Sequence, residues 1–113
     1  LDWLGISSLG FDVSIEKETD QIAALAVQGP TSYAVLSRAG FQGLDKLKPF
    51  HFLRQQIFDI DLMISRTGFT GDLGYEIWIS PEHAINLWDL IYAECENGHF
   101  DIRPIGLNVH RTE

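Results

Sequence analysis

Hydrophobic residues along this chain follow two periods, and the change from one to the other marks the elements. Ile22 to Gln28 is a nearly continuous apolar run, which fits a strand buried on both faces. Gly29-Pro30 ends the run. Proline suits the first turn of a helix, so Pro30 to Arg38 is expected to be helical, with Tyr33, Val35 and Leu36 toward a core. Gly40 then supplies a left-handed stop. His51 to Phe58, Leu62 to Arg66 and Tyr75 to Ile79 are short segments rich in strand formers. Their connections are too short for crossovers, which predicts an antiparallel meander with a turn at Asp59-Ile60-Asp61. Ser80-Pro81-Glu82 is a helix start with a serine cap. Ile85, Trp88, Tyr92 and Cys95 recur at helical spacing, widened by Leu87 and Ile91, and Asn97-Gly98 ends the helix.

Other segments are less regular. Residues 1–12 carry Trp3, Leu4 and Phe11 without a period. Val13 to Glu16 alternates and reads as a short strand. A short helix is expected at Leu44 to Leu47, a loop or short strand at 100–106, and a further helix from about Leu107. The order β-β-α-β-β-β-α-(β)-α predicts an α+β fold, one antiparallel sheet with helices packed on one face.

Composition narrows the function. The 113 residues, 45% hydrophobic, are enough for a single domain with its own core. The chain starts without methionine and stops inside a helical pattern, so residues 1–113 are expected to be one domain's segment of a longer protein. A net charge of −8 argues against nucleic acid or a membrane as partner. It leaves room for a small anionic ligand held by a few arginines. Cys95 is the only cysteine, which points to a reducing compartment. No apolar run approaches the roughly 20 residues of a membrane span. His51, His83, His99 and His110 show no ligand spacing, so no metal is expected.

Arg66 to Ile79 is the stretch richest in candidate chemistry. Gly68, Gly71 and Gly74 lie between two strand-forming runs, and Glu76 follows inside the second. Strand alternation puts Glu76 and Trp78 on one face, with Tyr75, Ile77 and Ile79 on the other. A carboxylate accepts paired N–H donors from an amino-pyrimidinone edge, and an indole walls a flat heterocycle. On spacing alone, a Glu76 that points to solvent is the commoner arrangement. The glycine spacing opens no helix, so it is not a dinucleotide cradle, and a plain hairpin accounts for it equally well. Among the basic residues, Arg66 and Arg111 are the candidates for holding a carboxylate tail. No acid–base pair or nucleophile stands out, so no catalytic residue is assigned.

Thr67-Gly68-Phe69-Thr70-Gly71-Asp72-Leu73-Gly74-Tyr75-Glu76-Ile77 resembles the T-G-[YF]-T-G-E-x-G-[YF]-E-[IL] pattern of the folate-binding domain of the glycine-cleavage T-protein (aminomethyltransferase) family. Val27-Gln28-Gly29-Pro30, Pro81 through Trp88 and Leu107 through Glu113 are similar to three further family elements, in order, so the resemblance covers about residues 13–113. It implies a tetrahydrofolate-dependent methyl or aminomethyl transferase, cytoplasmic or in the mitochondrial matrix of a eukaryote. Its partners would be folate, a small methyl or aminomethyl donor and a carrier protein. Glu76 would grip the pterin edge, with Phe69 and Trp78 near it and Arg111 or Arg66 toward the glutamate tail. The family position of Phe69 is often tyrosine, so a hydroxyl is lost here. Leu107 or His110 stands where T-proteins carry an arginine, which leans toward folate-dependent demethylases and the folate domains of dimethylglycine or sarcosine dehydrogenases. The family's catalytic aspartate lies upstream of the matching region, so the segment alone is expected to be inactive. Two alternatives stay open: a non-enzymatic folate-binding relative that supports iron–sulfur cluster assembly, and a ligand-free α+β interaction module.

Overall fold

The computed structural model describes residues 1–103. The expected helix from Leu107, and Arg111 with it, lie outside these residues. Four strands make one antiparallel sheet in the order β1-β4-β3-β2: β1 Ala23–Gln28, β2 Phe52–Ile57, β3 Ile60–Ser65 and β4 Gly74–Ile79. Two helices, α2 Ser32–Arg38 and α3 Ala84–Asn97, pack on one face, and α1 Asp2–Ser7 precedes the sheet. The α+β class and the β2-β3-β4 meander are as the sequence predicts.

The core forms where the two periods meet. Leu62 and Ile64 of β3 and Tyr75, Ile77 and Ile79 of β4 point to the same side. Val35, Leu36 and Ala39 of α2 and Leu87, Ile91 and Cys95 of α3 cover them. Burying each large side chain of this group stabilises the fold by roughly 1.5–3 kcal/mol. An Arg38–Glu94 ion pair at 3.4 Å links the two helices near the surface, where such pairs add little.

Both helices stop with the same motif. In α2 the Gly40 N–H reaches the Ser37 carbonyl and the Phe41 N–H the Leu36 carbonyl, with Gly40 at φ +103°. In α3 the His99 N–H reaches Glu96 and the Phe100 N–H reaches Cys95. Here His99, at φ +57°, is the left-handed residue rather than Gly98. Gly98 is required for another reason, because a Cβ there would press on the Phe100 ring.

Several expectations are corrected. Val13 to Glu16 forms no strand; no neighbour supplies a ladder, and Val13 and Ile15 are exposed. β1 is an edge strand, and Ala24 and Ala26 are exposed rather than buried on a second face. Tyr33 is 41% exposed, because the short α2 presents only Ser32, Val35 and Leu36 inward. Leu44 to Leu47 is a pair of turns whose two leucines are buried. The buried stripe of α3 runs through Leu87, Ile91 and Cys95, so Ile85 and Trp88 face outward at 74% and 42% exposure. Ser80 caps with its carbonyl, which accepts the His83 N–H at 3.0 Å, and Pro81–His83 is a 3₁₀ turn ahead of α3. No helix among the described residues is long and apolar enough to cross a membrane.

The β2–β3 hairpin turns on Phe58 and Asp59 alone, so Ile60 belongs to β3. Both turn residues have positive φ, +50° and +63°, the pattern of a type I′ turn. Asn-Gly is the preferred pair for that geometry, and Phe58 packs against little at 77% exposure. Replacing Phe58 with Asn and Asp59 with Gly is therefore expected to raise unfolding stability by about 1 kcal/mol, measured by urea titration.

Burial pushes the Tyr75 phenol up, against a smaller opposing pull from Arg66, and burial also pushes the Cys95 thiol up. The unfolded chain releases these protons at their ordinary values while the folded chain retains them. Stability therefore falls as pH rises past the ordinary thiol range, and neither group contributes a pH dependence below it. The urea midpoint is expected to decline from about pH 8.5 upward, and to decline less steeply in Cys95→Ala.

Candidate functional site

Strand register places the candidate residues on the face that the two core-packing helices leave bare. Ala26, Glu76, Ser65 and Phe52 stand in one row across the four strands. Ala24, Trp78, Met63 and Arg54 stand in the next. Glu76 and Trp78 thus share one face of β4, as alternation predicts. Trp78 is 37% exposed and Glu76 is half-buried. Beside Trp78 lies an open depression of about 670 Å³, bordered by Arg54, Gln56, Asp61, Met63 and Ser80. A second cavity of about 410 Å³ lies on the helical side, between β1, α2 and α3.

Glu76 is held by its neighbours. Its carboxylate accepts a hydrogen bond from the Thr67 hydroxyl. Thr67 Oγ1 lies 2.8 Å from Ser65 Oγ, and the Trp78 indole N–H reaches Ser65 Oγ at 3.5 Å. Ser65 is buried at the end of β3, opposite Glu76. Four side chains are therefore linked into one chain of hydrogen bonds on the open face.

Gln28 closes the other side of the glycine loop. Its Nε2 donates to the carbonyls of Thr67 and Tyr75, each at 3.2 Å. Two carbonyl partners fix which end of the amide is the NH₂. The Thr70 hydroxyl donates to Gln28 Oε1 at 3.3 Å. One amide thus joins β1, the loop 66–73 and β4. The Gly29 N–H adds a backbone bond to the Leu73 carbonyl at 2.7 Å. The glycines make room for this: a Cβ at Gly68 or Gly74 would overlap the Gln28 amide. Gly71, at φ +82°, serves the turn of the loop itself.

The other sequence candidates are placed as follows. Phe69 is half-buried within the loop. Arg66 belongs to the helical side, where its guanidinium donates to the Leu47 carbonyl at 3.0 Å and acts electrostatically on Tyr75. Its backbone pairs with Phe50 and His51, extending the β2–β3 ladder. Glu76, Trp78 and the loop are brought together, whereas Arg66 is turned to the opposite side. Arg111 lies outside the described residues. No cluster of metal-ligating side chains occurs among the described residues.

The family model described as the GCVT N-terminal domain matches residues 1–113. The chain belongs to this family. Among curated proteins, this GCVT N-terminal domain segment is similar to the aminomethyltransferase of Chlorobaculum tepidum, 39% identical over 98% of the chain and 30% of the relative. The aminomethyltransferase of Streptomyces coelicolor is 36% identical over 99% of the chain, and that of Desulfitobacterium hafniense 33% over 97%, each again covered to 30%. The chain thus spans about 30% of the length of the curated relatives it matches.

Sequence reasoning missed Gln28, Ser65 and Thr67 as parts of the site. Gln28 was visible as the polar residue that ends an apolar run and as part of the family-like Val27-Gln28-Gly29-Pro30 element, without a role at the loop. Register supplies the missing signal, because Gln28 pairs with Gly74, and Ser65 with Glu76. Gly74→Ala is expected to cost roughly 1–3 kcal/mol by displacing the Gln28 amide. Adding Gln28→Ala should remove most of that extra cost, so urea unfolding of the two single variants and the double variant will show strong non-additivity.

Proposed function

We propose that this segment supplies the pterin-holding surface of a tetrahydrofolate-dependent one-carbon transferase. The observation that carries the reading is the pairing of Glu76 and Trp78 on the uncovered face of the sheet, beside a loop whose shape is set by three glycines. Similarity to aminomethyltransferases over nearly the whole chain supports it.

The residues present fit the proposed cofactor. A pterin offers an edge of adjacent N–H donors, and Glu76 presents a carboxylate, which only accepts. One carboxylate oxygen takes the Thr67 hydroxyl, which leaves the other oxygen and further lone pairs for a ligand. Trp78 gives an apolar wall next to that carboxylate, and Ala24 and Ala26 keep the adjacent floor low. Phe69 would contact the same ligand from the loop. Tetrahydrofolate, when bound, carries or accepts the one-carbon unit at a ring nitrogen. The part played by these residues is to bind and orient it. The donor of the one-carbon unit would be a small methylamine-type compound or a carrier-borne aminomethyl group.

In the complete polypeptide that carries these residues, Glu76→Ala is expected to weaken folinic acid binding roughly 10- to 100-fold, the weight of a charge-assisted contact at a half-buried carboxylate. Isothermal titration checks this. Equal affinity in the parent and the variant would remove the basis for the assignment.

A further inference from the structure

We infer that Thr67 is a positioning residue for Glu76, the final donor in a one-way hydrogen-bond chain that begins at Trp78. The inference rests on the pterin-holding reading of Glu76 and adds residues to it.

Donor chemistry fixes the direction of the chain. The Trp78 indole nitrogen has a proton and no available lone pair, so it donates and Ser65 Oγ accepts. An ionised carboxylate has no proton to give, so the Thr67 hydroxyl donates to Glu76 Oε2. The single Thr67 proton is thereby used. Across the 2.8 Å Ser65–Thr67 contact the donor must then be Ser65. The direction runs Trp78 to Ser65 to Thr67 to Glu76; the Glu76 backbone carbonyl, at 3.4 Å from Ser65 Oγ, is a second and longer acceptor for the same Ser65 proton. Chains of this kind polarise one another in the same sense.

The chain is also held by the backbone on either side of Thr67. Ser65 and Glu76 are register partners in the β3–β4 ladder. Thr67 lies in the loop, but its carbonyl is fixed by the Gln28 amide, which also binds the Tyr75 carbonyl next to Glu76. The distance between the Thr67 hydroxyl and the Glu76 carboxylate is therefore set by three neighbouring strands rather than by the loop alone. A glutamate otherwise has three rotatable side-chain bonds, and ordering it on ligand binding costs conformational entropy. With Thr67 in place, that ordering is already done in the ligand-free protein.

The test uses folinic acid titrations of the complete polypeptide. Thr67→Val keeps the shape of the side chain and removes the donor, and should weaken binding roughly tenfold. Thr67→Ser keeps the hydroxyl and should stay within about threefold of the parent. In a Glu76→Ala background, Thr67→Val should change nothing further, since its effect passes through the carboxylate. Ser65→Ala leaves the Thr67 hydroxyl intact, so a smaller loss of about threefold is expected from it, and it serves if the valine variant does not fold. An undiminished affinity in Thr67→Val, no rescue by serine, or an equal loss in the Glu76→Ala background would each overturn the inference. Those outcomes leave the assignment of Glu76 standing if Glu76→Ala itself loses binding. Equal binding by the parent and Glu76→Ala would overturn both.

Discussion

The side-chain amide of Gln28 is the contact on which the open face depends. It ties the end of β1 to both ends of the glycine loop, at Thr67 and at the start of β4, segments distant from Gln28 in sequence. A half-buried amide with two carbonyl acceptors and a hydroxyl donor is nearly fully satisfied, and leaving such groups unpaired costs about 1–3 kcal/mol each. The amide can occupy that position only because Gly68 and Gly74 present no Cβ to it. The conformation of the loop, and with it the placing of Thr67 against Glu76, thus follows from a residue some forty positions earlier in the chain.

The sheet itself was largely legible. Alternation in β3 and β4 is sharp, because one face is covered by helices and the other is not. Periodicity was less informative for α3. Two apolar stripes, one through Ile85, Trp88 and Tyr92 and one through Leu87, Ile91 and Cys95, overlap on the same helix, and hydrophobicity alone does not say which faces the sheet. Packing resolved this in favour of the slimmer residues, with Trp88 and Tyr92 left beside each other at 5.1 Å between ring centroids. Val13 to Glu16 failed as a strand for a different reason. An alternating tetrapeptide has no ladder of its own, and its pairing partner cannot be read from its residues.

The placing of the candidate acid and aromatic was legible, and what holds them was not. Glu76 and Trp78 are two apart on a strand, so their shared face follows from chain geometry. The Ser65, Thr67 and Gln28 contacts depend on register, on loop path and on hydroxyl orientation, which local sequence does not encode. Arg66 illustrates the converse. Charge drew attention to it, yet it lies one residue beyond Ser65 and therefore emerges on the opposite side of the sheet, where a backbone carbonyl engages it.

The edge strand β1 has a consequence for the shape of the open face. Its exposed residues beside Glu76 and Trp78 are alanines, whereas the strand on the far side of β4 presents Ser65 and Met63 and the next Arg54 and Phe52. The surface is therefore a terrace: a low shelf along β1, a step at β4 and higher ground toward β2. Side chains on the open face thus stand lowest along β1, directly beside Glu76 and Trp78.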